Sequence, residues 1–153
     1  MKKISFVFIL LISSLGLNAQ YGSINAILDR LEAKRGVNQN LKNVSIEDSK
    51  FVLIKDFDDH VERNFIIIKG NNATYVEVFD DKKTGETNAN VFTGDIVRSK
   101  NQIISLRADM LEGKKIPIAI TKTFLLTEQK KILYLIEINS KERWIEESAI
   151  NKK

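Results

Sequence analysis

The chain has 153 residues, with 24 Lys and Arg against 20 Asp and Glu, one His, one Pro, one Trp and no Cys. That length suits one domain, and 43% hydrophobic with 29% charged residues marks a globular chain, not a disordered one. Without cysteine there is no disulfide scaffold, thiolate zinc site, thiol nucleophile or lipid-modified N-terminal Cys, and a single His removes any site built from two imidazoles.

Residues 1–19 read as a cleaved export signal. Lys2 and Lys3 form a short cationic start, residues 4–17 are an apolar run, and Leu17-Asn18-Ala19 offers signal peptidase a small residue, so that Gln20 begins the mature chain. The run of about 14 residues falls short of the ~20 that a helix needs to cross hydrocarbon, which argues for cleavage over an uncleaved anchor. No later stretch approaches that length, so the mature form is expected to have no membrane span. Removing the segment takes away Lys2 and Lys3 and no acid, and the formal charge falls from +4 to +2. The remaining charges are interspersed, as in Asp80-Asp81-Lys82-Lys83 and Lys141-Glu142-Arg143. A nucleic-acid partner wants a clustered basic face with stacking aromatics, and the sequence has neither.

The Met-Lys-Lys start, the Ile- and Leu-rich core and the Asn-Ala-Gln end resemble the signals of exported Bacteroidetes proteins. The resemblance implies a periplasmic or secreted location. With no Cys at the cleavage site, lipid anchoring is not expected.

The first predicted element after the signal is a helix. Ser23 serves as N-cap, Ile24, Ile27, Leu28 and Leu31 fall at i, i+3, i+4 and i+7, and Gly36 stands where a C′ glycine belongs. At most three turns long, it must dock on something, and its mixed charges favour its own sheet over a membrane surface. The polar residues 37–49 follow as a connection, giving a helix-and-connection segment over 20–49.

From Lys50 the pattern turns to short strands. Phe51-Val52-Leu53-Ile54 and Phe65-Ile66-Ile67-Ile68 are β-rich runs, and Lys69-Gly70-Asn71-Asn72 is a tight turn into residues 74–79. A polar loop over 80–88 leads to Val91-Phe92 and Ile96-Val97, with Gly94 between them marking a bulge. Residues 103–108 follow, with Ile104, Leu106 and Ala108 on one face. Next come residues 116–127 with Pro117 near the start, then 132–138, and a last strand around Trp144 and Ile145. Residues 149–153 read as a polar tail.

The expected fold is mainly β: an antiparallel up-and-down meander of about eight strands over 50–148. It closes as a barrel or curls as a half-barrel, with one N-terminal amphipathic helix. Several strands are apolar on both faces, with Tyr75 and Phe79 opposing Val76 and Val78, and Leu133 and Leu135 opposing Ile132, Tyr134 and Ile136. This layout resembles the lipocalin-like exported proteins in topology. Such proteins carry a Gly-x-Trp element at the first strand; here Gly36 and Lys50-Phe51 supply none and Trp144 lies near the end, so the resemblance transfers no ligand-binding residue.

The two-faced strands imply a hydrophobic small molecule in a barrel-like cavity, with Tyr75, Phe79, Leu133, Leu135 and Tyr134 as candidate lining. The alternative is a protein-interaction module, an inhibitor or envelope assembly component, with a packed core. Asp56, Asp58, Asp59 and Glu62 put four carboxylates beside His60, a set that could offer a hard cation oxygen ligands. Val61 stands where an EF-hand loop needs Gly, and Ile67 where it needs Glu, so a solvated acidic turn is the simpler reading. His60 is also the sole candidate for a hydrolase relay, but no Gly-x-Ser-x-Gly elbow accompanies it. No phosphate-binding or dinucleotide loop is present. The residue inventory therefore favours a binding role without cofactor over an enzyme.

Overall fold

Turn residues recur between β-rich runs at intervals too short for a crossover, so each strand pairs with the one that follows it. The computed structural model describes residues 41–99 and 102–150. Eight strands run in order: β1 (Lys50–Asp56), β2 (His60–Lys69), β3 (Asn72–Asp81), β4 (Thr87–Ser99), β5 (Ile103–Leu111), β6 (Lys114–Gln129), β7 (Ile132–Glu137) and β8 (Arg143–Glu146). All neighbours are antiparallel, and β8 pairs back onto β1, which closes the barrel. The expected meander is thus a full barrel and not a half-barrel. The predicted signal and the Ser23-capped helix lie outside the described residues.

Three local features have physical reasons. Val91-Phe92 and Ile96-Val97 belong to one long strand, β4, whose register shifts between Thr93 and Gly94 against β5. A Cβ on Gly94 would lie 2.0 Å from the Arg107 carbonyl oxygen, so the close strand approach at this bulge requires glycine. Pro117 lies near the start of β6 as expected, and the strand carries a second irregularity there. Here Met110 pairs with Lys115 and Ala108 with Ile120, and the intervening residues of β6 need no ladder N–H from the proline. Residues 149–153 are not all tail: Glu147–Ile150 forms a one-turn helix, α1, and Ala149 and Ile150 pack on an apolar cluster.

The barrel interior carries one apolar set from every strand, including Phe51, Ile66, Tyr75, Phe92, Leu106, Phe124, Leu135 and Trp144. Tyr75 on β3 meets Trp144 on β8 at 6.0 Å between ring centroids, and Phe124 on β6 meets the same indole edge-on at 6.0 Å. These contacts join strands that are not ladder neighbours, so they cross the lumen. Alternation then sends Val52, Phe65, Val76, Tyr134 and Ile145 to the outward face, where they form a second cluster and are also buried. Arg63 shares that outward face and is buried; its Nε and Nη2 donate to the Asp80 carboxylate at 2.6 and 2.9 Å.

One barrel end is plugged. Leu41 is buried, and Val44 and Ile46 pack against the interior cluster. Arg98 donates to the carbonyl oxygens of Val44 and Leu41, which straps residues 41–46 across the opening. The closing seam is short, with Phe51 opposite Glu146 and Val52 opposite Ile145. Side chains reinforce it: Ser49 Oγ donates to Glu146 and Lys50 Nζ to Glu147 at 2.7 Å.

Candidate functional site

The other end of the lumen is open and polar. On each strand the inward-facing series that packs the core changes character as it approaches this end. Phe51 and Leu53 are followed by Lys55 on β1, and Ile68 and Ile66 by Asn64 and Glu62 on β2. Tyr75 gives way to Glu77 on β3, Phe124 to Lys122 on β6, and Leu135 to Glu137 on β7. The result is a cup of about 460 Å³ whose wall includes Lys55, Glu62, Asn64, Glu77, Asn90 and Lys122, with Glu142 from the β7–β8 connection.

Register orders these groups in rows. Asn64 lies opposite Glu77, and Glu77 opposite Asn90, so one amide–carboxylate–amide row crosses β2, β3 and β4. One step nearer the rim, Glu62, Phe79 and Asn88 form the next row. Asn64 is only 7% exposed, and its side-chain amide makes no hydrogen bond among the described residues. The amide faces the open cup, where water or a guest with matching groups can pair with it.

The cationic groups are engaged. Lys55 Nζ lies 2.6 Å from Glu142 and 3.2 Å from Glu62. Lys122 Nζ lies 3.1 Å from Glu137 and 5.5 Å above the Tyr75 ring. Burial works against the charge on Lys55, but hydrogen bonding and attraction from Glu142 and then Glu62 outweigh it and raise its pKa above the ordinary lysine value. Burial likewise pushes Glu142 up, and Lys55 outweighs that push to hold it below the ordinary carboxylate range. Burial raises the Tyr75 phenol strongly, and the neighbouring Glu77 charge adds to this. The phenol donates to Glu77 at 2.8 Å.

Aromatic rings edge the cup. His60 is stacked between Phe57 and Phe79, with centroids 4.5 and 4.4 Å away. His60 Nδ1 lies 2.6 Å from Asp59 and Nε2 lies 3.6 Å from Glu62. It therefore belongs to a rim stack instead of standing free on the surface, and no Ser or Thr hydroxyl bonds to it among the described residues. Phe57 and Phe79 remain substantially exposed, as do Ile138 in the β7–β8 connection and Ile118 in the β6 irregularity.

The residues singled out from sequence divide. Tyr75 and Phe79 do line the cup. Leu133 and Leu135 face inward but belong to the packed core, away from the open space. Tyr134 is on the opposite face in the outward cluster, because strand alternation separates it from its two leucine neighbours. The acidic turn is tied up locally: Asp56 pairs with Lys82 at 2.5 Å and Asp59 with His60, while Asp58 stays exposed. Asp56 ends β1 and His60 and Glu62 belong to β2, so of this set only Asp58 and Asp59 lie in the turn itself. Among the described residues no group of three or more His, Asp or Glu side chains is placed to hold a metal ion. The sequence reading missed Lys55, Asn64, Glu77, Asn90, Lys122 and Glu137. Their signal was available, since each polar residue falls in phase with an inward apolar series.

Comparison with known proteins finds no matching family model, no matching curated protein and no matching solved structure.

Proposed function

We propose that the protein is an exported, non-catalytic binding barrel that takes a small polar molecule into the open cup. The sequence suggested a hydrophobic guest; the apolar half of the lumen is filled by Trp144, Phe124, Leu126 and Leu135, and the accessible space lies in the polar half. The supporting observation is the Asn64–Glu77–Asn90 row, whose largely buried Asn64 side chain faces the cup with no protein partner among the described residues. Pockets of this size suit ligands of metabolite dimensions, held in place by a few convergent polar groups. The export reading of residues 1–19 and the lipocalin-like topology support a carrier or sensor outside the cytoplasm.

The test is an NMR titration of the purified mature protein with glucose, arginine, putrescine and propionate, watching the side-chain amides of Asn64 and Asn90. Saturable shifts with at least one probe support the reading. Flat titrations with all four reject it.

A second reading, the protein-interaction module, draws on the exposed rim of Phe57, Phe79, Ile118 and Ile138. In that case Phe57→Ser with Ile118→Ser abolishes recovery of a specific envelope protein in a pulldown, while cup substitutions leave it unchanged.

A further inference from the structure

We propose that the cup selects a small organic cation, a primary ammonium or guanidinium compound, with Glu77 as its counter-ion. This rests on the polar-cup reading above and narrows it to one charge class. Two ammonium groups, Lys55 and Lys122, face four carboxylates, Glu62, Glu77, Glu137 and Glu142. Lys55 is shared between Glu62 and Glu142, and Lys122 belongs to Glu137. Glu77 is left with a neutral partner, the Tyr75 phenol, which orients the carboxylate without compensating its charge. A guest cation completes the pairing that the protein itself leaves open.

The surroundings of Glu77 fit such a guest. Asn64 and Asn90 flank it in the same row, so two amide oxygens can accept from an ammonium or guanidinium already held by the carboxylate. Asn64 supplies an observation independent of the acidic residues: it is more than nine-tenths buried, it lines the cup, and it has no partner among the described residues. Above the row, the exposed Phe79 ring and its stack with His60 and Phe57 offer faces to a flat guanidinium or a methylene chain. A neutral sugar could engage both amides but leaves the Glu77 charge uncompensated. An anion meets an excess of like charge.

The experiment measures dissociation constants for putrescine, arginine, glucose and propionate at low salt, by NMR and by Trp144 fluorescence, on wild type and variants. The expected result is saturable binding of putrescine or arginine, with glucose and propionate at least about tenfold weaker. Glu77→Gln keeps the shape and removes the charge; it is expected to weaken the bound cation about tenfold or more, since a charge-assisted bond is replaced by a neutral one. Glu47→Gln, at the plugged end, leaves affinity unchanged. Asn90→Lys, which sets an ammonium directly across the ladder from Glu77, is expected to abolish cation binding and covers the case in which Glu77→Gln does not fold. Cation affinity unchanged in Glu77→Gln or Asn90→Lys overturns the proposal. Glucose or propionate binding at the cup as tightly as the cations overturns it as well, and leaves the polar-cup reading standing. No binding by any probe removes both.

Discussion

Tyr75 and Glu77 sit two residues apart on the inward face of β3, and the phenol donates a 2.8 Å hydrogen bond to the carboxylate. Burial of the ring, then the Glu77 charge, raises the phenol above its ordinary value of 10.0. In an ultraviolet titration Tyr75 is expected to ionise later than an exposed tyrosine. Glu77→Gln removes the carboxylate contribution and moves that ionisation back toward the ordinary value, while burial keeps part of the shift. An unchanged Tyr75 titration in the variant would contradict the pairing.

Asp80→Ala is expected to destabilise the protein by about 3 kcal/mol, because it strips a buried guanidinium of its carboxylate. Arg63 lies on the outward face among apolar side chains, and Asp80 holds it through two nitrogens while Thr87 donates to the same carboxylate at 2.6 Å. Urea unfolding of Asp80→Ala and Thr87→Val separates the two contributions. The threonine change should remove only about 1 kcal/mol.

The Lys55–Glu142 pair predicts how stability depends on pH. Glu142 is depressed in the folded state, so its contribution is present above the unfolded value of 4.5 and disappears as pH falls through the folded value. Lys55 is raised, so its contribution is present below 10.5 and disappears as pH rises through the folded value. Glu142→Gln should therefore lower stability near neutrality and flatten both the acid and the alkaline limbs of a plot of urea midpoint against pH. Part of the acid limb persists. Asp59 is held low by His60, and Asp81 by the backbone N–H groups of Thr84 and Lys83.

Gly94→Ala is expected to cost about 2–3 kcal/mol in thermal or urea unfolding, since the added methyl collides with backbone across the ladder and not with a side chain that can swing away. A neutral result would mean that β4 and β5 separate at the bulge.

The β6–β7 hairpin invites a stabilising change. Lys130 and Lys131 both have positive φ, 51° and 64°, a two-residue geometry that favours Asn-Gly. Lys130→Asn with Lys131→Gly should raise stability by about 1 kcal/mol, read from the urea midpoint.

Much of the barrel is legible in the sequence because turn chemistry and β-branched runs are local. The Lys69-Gly70-Asn71-Asn72 turn, the Gly94 bulge and the Ile104/Leu106/Ala108 face all depend on neighbours within a few residues. Closure is different: pairing Phe51 with Glu146 joins opposite ends of the meander, and nothing in either strand announces the other. The cup was hidden for a related reason. Taken singly, Asn64 or Lys122 looks like a surface residue, and it becomes interior only when its phase is followed along the strand to Ile66 or Phe124. Of the apolar candidates, Leu133 and Leu135 serve packing and Tyr134 faces the other way.

The short seam between β1 and β8 carries a kinetic consequence. Every residue of β1 is in register with β2, whereas only Phe51 and Val52 are in register with β8, across the longest chain separation in the barrel. Ordering so long a loop for so short a ladder predicts that this joint is the last to form. Hydrogen exchange is expected to show its backbone amides opening while the other seven joints stay shut. Because Lys55 and Glu142 flank that joint at the open end, filling the cup would also slow the breathing of the barrel wall.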